Sequence, residues 1–311
     1  MMHDEKPDIS VIVPCLNEEN NIRNLCDAAI AQLIKNECTY EIIVIDNGSS
    51  DATVAIVKQI CAQNKHVKLI VNNSNYGQMR SPTHAIFQSR GRAVIGLAAD
   101  FQDPPELITD FIQRWKSGAI IVLGTRQSER TSLVLRAIRT LGYGFFSRFA
   151  DYKVVPDATG FGIYDRRVID AVALWREPEP FFRGMLVESG FPIDTIPYHK
   201  PSRLSGETKN NLLRLVDFAI TGVGASSKKL LRAPMYASAL LGVLIIPTLG
   251  MLLISLKNDN IILITAVILI FEIFMVPTFL FLGLIGEQIR VISQTVRNIP
   301  LVIEKERVNF D

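Results

Sequence analysis

The chain has 311 residues, 33 Lys and Arg against 31 Asp and Glu, and a formal net charge of +2. That length holds one large domain or a medium domain with an appendage, and the near balance of charge removes any bulk electrostatic case for a nucleic-acid partner. Cys15, Cys26, Cys38 and Cys61 form no C-x-x-C pair and have no histidine at zinc-like spacing, which leaves ordinary thiols in a reducing compartment.

Met1 to Pro7 is charged and carries no apolar stretch, so no signal peptide is expected and the front of the protein is expected in the cytoplasm. The runs Ile9–Pro14, Glu41–Asp46, Val67–Val71, Ala93–Leu97 and Ile120–Gly124 predict strands buried on both faces. Stretches of helical periodicity separate them, and the alternation predicts an α/β domain with a mostly parallel sheet.

Ligands of an open parallel sheet sit at strand ends, and two strands here end in carboxylate-bearing turns. The first runs into Pro14-Cys15-Leu16-Asn17-Glu18-Glu19-Asn20 and the second into Asp46-Asn47-Gly48-Ser49-Ser50-Asp51. No G-x-G-x-x-G follows a strand and no G-x-x-x-x-G-K-[ST] occurs, which argues against a dinucleotide oxidoreductase and a P-loop NTPase. A mononucleotide remains a suitable guest, because Asp46 can accept hydrogen bonds from hydroxyl or ring N–H donors. Taken alone, Ser49 and Asp51 are a helix N-cap and a first-turn acid.

The fourth strand ends in Asp100-Phe101-Gln102-Asp103-Pro104-Pro105-Glu106. An Asp and a polar oxygen two positions later can aim at one point, and magnesium needs little more when substrate phosphates complete its shell. Without that context, Asp103-Pro104-Pro105-Glu106 is a good helix start.

From Ala233 onward the text becomes apolar. Pro234–Leu256 and Ile261–Ile285 each reach the roughly 20 residues needed to cross a bilayer, with only Lys257-Asn258-Asp259-Asn260 between them. Lys228, Lys229 and Arg232 precede the pair while Arg290 and Arg297 follow it, so both flanks are expected on the cytoplasmic side. The alternative is a hairpin buried in a soluble core. Before it, Asn211–Leu231 has the pattern of an interfacial helix or of a plain connecting helix. Glu272, inside the second apolar segment, is expected to face another helix or subunit rather than acyl chains.

The ordered series Leu-Asn-Glu-Glu-Asn, Ile-Asp-Asn-Gly-Ser-Ser-Asp, Asn75-Tyr76-Gly77 and Asp100-Phe101-Gln102-Asp103-Pro104-Pro105-Glu106 resembles the motifs of family 2 glycosyltransferases with the GT-A fold. Within them it is similar to the dolichyl-phosphate mannose synthase and bacterial polyprenyl-phosphate glycosyltransferase branch. Gly124-Thr125-Arg126, the stretch from Asp157 to Arg166, Phe182-Arg183-Gly184, the stretch from Arg203 to Lys209, and Gly286-Glu287-Gln288 resemble that branch's later motifs, so the likeness spans nearly the whole chain.

The resemblance implies a Rossmann-like GT-A catalytic domain over residues 1–207, juxtamembrane interfacial helices over 208–232, a two-helix transmembrane hairpin over 233–286 and a cytoplasmic tail over 287–311. It implies inverting transfer of a sugar from a nucleotide-diphosphate sugar, a UDP-sugar by preference, to a polyprenyl phosphate at the cytoplasmic face of the inner membrane, in the making of cell-envelope glycans. Pro14, Asn17, Glu18, Asp46 and Gly77 take donor-binding places. Asp100 and Gln102 take metal and diphosphate places for Mg²⁺ or Mn²⁺; Ala98 stands where many relatives carry another Asp, leaving one carboxylate. Asn47 replaces the second Asp of the usual turn, and Arg80 with Pro82 interrupts a helix start that is usually small and apolar, changes that point to a different nucleotide or sugar preference.

Arg126, Arg203 and Lys209 match acceptor-phosphate positions, with Arg136 and Arg139 as additions, and a guanidinium fork suits that duty. Asp157 is implied to orient the acceptor or act as base; capping the following turn is its other role. A homo-oligomer, plausibly a tetramer, is a further expectation. Two other functions fit the sequence: a family 2 transferase acting on a polysaccharide or glycolipid, and a non-catalytic membrane-tethered binder of sugar nucleotide, for which Ala98 and Asn47 leave room.

Overall fold

The computed structural model describes residues 6–127, 155, 157–178, 180–199 and 300–310, together with 267, 270–271, 274–275, 277–278, 281–286, 288–289, 291–292 and 296. The chain divides into two compact units, one of Met1–Tyr143, Val154–Asn211 and Asn298–Asp311, the other of Gly144–Lys153 and Leu212–Arg297.

The first unit is built on β1 (Ile9–Cys15), β2 (Tyr40–Asp46), β3 (Val67–Asn72), β4 (Ala93–Gly96), β5 (Ile121–Gln127), β6 (Ala158–Asp165), β7 (Ile193–His199) and β8 (Glu304–Val308). The helices between them are α1 (Ile22–Lys35), α2 (Thr53–Gln63), α3 (Gly77–Gln88), α4 (Leu107–Lys116), α5 (Arg166–Ala173) and α6 (Phe182–Glu188). The strands form one eight-stranded mixed sheet in the order β7-β5-β6-β4-β1-β2-β3-β8. β1 pairs in parallel with both β2 and β4, β2 with β3 and β5 with β7, while β6 and β8 run antiparallel to their neighbours.

Both faces of the sheet are covered, which explains why its central strands read as continuous apolar runs. Ile9, Val11 and Val13 pack on one side with Leu25, Ala29 and Leu33 of α1 and Phe111 of α4. Ile12, Ile43, Ile45 and Ile70 pack on the other with Ile86 of α3 and Val168 and Val172 of α5. The chain builds outward from β1 through β2 to β3 and then crosses back to β4 on the far side of β1. That reversal opens a crevice at the carboxyl ends of β1 and β4, where open α/β sheets take their ligands.

The resemblance implies a tail over 287–311; within that stretch the structure places Glu304–Val308 in the sheet, where Leu69, Ile70 and Val71 of β3 face Val308, Arg307 and Glu306. Unpaired, β3 would present a row of open backbone donors and acceptors. The charged run Glu304-Lys305-Glu306-Arg307 hides this strand from any hydrophobic pattern. On α3, the Arg80 guanidinium donates to the carbonyl oxygens of Pro300 and Leu301, at 2.8 Å each, and so fastens the approach to β8.

Of the second unit, the described positions are helical, and Val267, Phe271, Phe274, Leu282, Ile289 and Ile292 are exposed. Among the described residues no helix is long and apolar enough to cross a membrane. The expected span Pro234–Leu256 lies outside the described residues, as do Glu272 and much of Ile261–Ile285.

Candidate active site

The loops leaving β1 and β2 are tied together atom by atom. Asn17, in the left-handed region at φ 57°, donates its backbone N–H to Ser49 Oγ at 2.8 Å and accepts from the Ser50 N–H through Oδ1 at 2.8 Å. The Glu18 N–H reaches Thr53 Oγ1 at 2.9 Å, and Glu19 accepts from the Ala52 N–H at 2.9 Å. Asp51 accepts from Thr53 and from the Glu19 N–H. Burial raises its carboxyl pKa, but these hydrogen bonds outweigh that and hold it below the usual aspartate value.

Asp46, 1% exposed, closes the turn after β2 by accepting from the Gly48 and Ser49 N–H groups through Oδ2, at 3.1 and 3.0 Å. Gly48 sits at φ 86°, and a Cβ there would lie 3.3 Å from the Asn75 nitrogen, so the turn needs glycine for both conformation and clearance. Beside it, Asn47 joins the loop after β3. Its amide nitrogen donates to Asn75 Oδ1 and the Gly77 carbonyl, and its oxygen accepts from the Tyr76 N–H and the Asn72 amide. The two main-chain partners, a carbonyl and an N–H, fix which end of the amide is which. Asn47 is therefore a structural knot tied through both ends of its amide. Gly77, at φ 81°, opens α3 from this knot.

After β4 the chain turns through Asp100, Phe101 at φ 57°, and Gln102, whose N–H donates to Asp100 Oδ1 at 3.2 Å. The next residue, Asp103, is 4% exposed and acts well beyond a helix start. Its Oδ1 accepts from the Tyr198 hydroxyl at 2.7 Å and from Nη2 of Arg126 at 3.2 Å, while Nε of Arg126 donates to the Tyr198 oxygen at 3.1 Å. Burial, then the neighbouring Asp103 charge, push the Tyr198 hydroxyl up to about 12, so it stays a donor across the physiological range. Asp157, at φ 57°, accepts the Arg126 N–H through its main-chain carbonyl at 3.0 Å. Three of the left-handed non-glycine residues, Asn17, Phe101 and Asp157, thus lie on loops at this site, and strained backbone of this kind tends to gather at functional sites.

Of the residues singled out in the sequence, Pro14 and Asp46 fall at the carboxyl ends of β1 and β2, Asn17 and Glu18 on the loop after β1, Gly77 at the start of α3, Asp100 and Gln102 on the turn after β4, and Arg126 and Asp157 at the β5–β6 end. Arg136, Arg139, Arg203 and Lys209 lie outside the described residues. Sequence reasoning named Asn75 and Asp103 within motifs without giving either a role at the site, and it missed Tyr198. Among the described residues no group of three or more His, Cys, Asp or Glu side chains is placed to hold a metal ion.

Acidic and amide-bearing turns thus gather around the switch point of a mixed α/β sheet, where open sheets take their ligands. Residues 10–173 match the family model described as Glycosyl transferase family 2, and the chain belongs to that family. It is similar to the uncharacterized glycosyltransferase YkcC of Bacillus subtilis, 29% identical over 305 residues that cover 97% of this chain and 94% of that one. The uncharacterized glycosyltransferase sll0501 of Synechocystis is 29% identical over 76% of this chain and 75% of its own length. A prophage bactoprenol glucosyl transferase homolog of Escherichia coli is 28% identical over 70% of this chain and 72% of its own.

Proposed function

We propose that the chain transfers a sugar from a nucleotide-diphosphate donor, a UDP-sugar by preference, to a polyprenyl phosphate at the cytoplasmic face of a membrane. The observation that carries this reading is the turn 100–103: it offers the oxygens of Asp100 and Gln102 and, through Asp103, anchors the cation Arg126. A leaving diphosphate and an incoming phosphate are the two anions such a turn would serve. The likeness to a bactoprenol glucosyl transferase homolog supports the lipid acceptor, and the exposed apolar side chains between Val267 and Ile292 support a membrane location for the second unit.

Pro14 and Asp46 at strand ends, Asn17 and Glu18 on the loop after β1, and Gly77 at the start of α3 frame the nucleotide. Asp100 and Gln102 suit a divalent ion that takes few protein ligands and fills its shell from the substrate's phosphates; when bound, Mg²⁺ or Mn²⁺ supplies positive charge at the diphosphate. A phosphate monoester, with its second pKa near 6, is already an anionic nucleophile at neutral pH. Its oxygen forms the new bond to the anomeric carbon as the bond to the diphosphate breaks, the electron pair leaving with the nucleoside diphosphate. One such displacement inverts the anomeric centre. Arg126 grips the acceptor phosphate, Asp157 orients it, and most of the rate comes from positioning and charge stabilisation.

The test is incubation of the purified full chain with a panel of labelled nucleotide sugars and undecaprenyl phosphate, with the lipid product read by mass spectrometry. A sugar-phosphate lipid of inverted anomeric configuration is expected from one donor. Donor binding without turnover would make the protein a binder, and transfer only to a glycan or glycolipid would refute the lipid-phosphate acceptor. Asp100→Asn should cut turnover by about 100-fold or more in a folded protein; near-parental activity removes Asp100 from the chemistry.

A further inference from the structure

Arg126 and Tyr198 are register partners on the parallel strands β5 and β7. The Tyr198 ring lies across Gly124, where a Cβ would come 2.9 Å from Tyr198 Cε1, and stands edge-on to Phe161 at 5.6 Å between centroids. Ring and hydroxyl are therefore fixed in direction before they meet Arg126. Nε and Nη2, the side edge of the guanidinium, are taken by the Tyr198 oxygen and by Asp103. Asp103 is sealed, its side chain 5% exposed, whereas the Arg126 side chain is 30% exposed. One edge of the fork is thus held from the protein side. Its other end, Nη1 with the second Nη2 hydrogen, keeps the geometry for a two-point grip on phosphate.

We infer that Tyr198 and Asp103 are positioning residues that lock one edge of Arg126 so that the other meets the phosphate of the lipid acceptor. The inference rests on the acceptor reading above and extends it to residues that touch neither substrate. It also gives Gly124 a function: the glycine clears the space in which the tyrosine lies. Because Asp103 follows Asp100 and Gln102 on the same turn, any shift of that turn on donor binding passes to Arg126 through a single carboxylate.

Tyr198→Phe keeps the ring over Gly124 and removes only the hydroxyl. In the full chain in detergent, equilibrium binding of undecaprenyl phosphate and its KM should weaken about tenfold, the loss of a hydrogen bond to a charged group. Donor KM should stay at the parental value, while the melting temperature falls by what one lost donor to a buried carboxylate costs. In an Arg126→Ala background the same change should add nothing, because Tyr198 acts through Arg126. Parental binding of the lipid phosphate by Tyr198→Phe overturns the inference and leaves the acceptor reading standing; a parent that binds no lipid phosphate overturns both. Should Tyr198→Phe fail to fold, Arg126→Lys carries the test: it keeps the charge and loses the fork, and lipid-phosphate binding as tight as the parent's overturns the inference.

Discussion

Around β1, β2 and β3 the site is made of loops stitched from side chain to main chain: Asn17 to Ser50, Asp46 to Gly48 and Ser49, Asn47 to Tyr76 and Gly77. Beyond β4 the ties that reach furthest run from side chain to side chain, Asp103 to Arg126 to Tyr198, across residues up to 95 apart in sequence. The first region builds a frame of backbone groups, which the proposed function assigns to the nucleotide. The second poises a charged fork whose aim depends on two supporting side chains. Damage to the first should appear as lost stability and lost donor affinity together; damage to the second should separate acceptor affinity from everything else.

The largest effect should come from Asn47→Asp. A carboxylate, buried and lacking the two N–H donors, would face Asn75 Oδ1 and the Gly77 carbonyl. About 3 kcal/mol of stability should be lost, with a raised donor KM, as read by thermal melting and initial rates. An unaltered melting temperature would refute the knot. Gly124→Ala breaks the other region. Its Cβ must displace the Tyr198 ring, at a cost of about 2 kcal/mol, and lipid-phosphate KM should rise while donor KM stays. Equal losses for both substrates would erase the distinction between the two regions.

The smallest effect concerns pH. Because the Asp51 carboxyl is held below its usual 3.8, its contribution is fully present above that value and fades as pH falls through the lower, folded-state value. Melting temperatures of the parent and of Asp51→Asn should therefore differ by a constant amount above pH 4 and converge in stronger acid. A gap that persists at low pH would show that the charge of Asp51 does not hold the two loops together.

This contrast also explains what the sequence made legible. The five leading strands were visible because both faces of each are buried, and the loops at their ends were visible because Asn, Asp, Ser and Gly at close spacing encode local turns. The charge-laden β8 left no such trace, since its partner β3 supplies the burial. Asp103 resembled a helix start because its true partners, Arg126 and Tyr198, come from β5 and β7, and nothing local announces a pairing over such distances. Asn47 was visible as a departure from the usual acid, but the reason for it, the Asn75–Gly77 loop, could be seen only once β2 and β3 lay side by side.

β8 also sets an order of events at the ribosome. The strand follows the apolar segments in the sequence, yet it closes the ladder on β3 and, through the Arg80 contact at Pro300 and Leu301, steadies α3, the helix that begins at Gly77. Translation must therefore pass Val308 before β3 has this partner. Until then β3 is an open edge that a nascent chain has to keep from pairing with its neighbours on the same message.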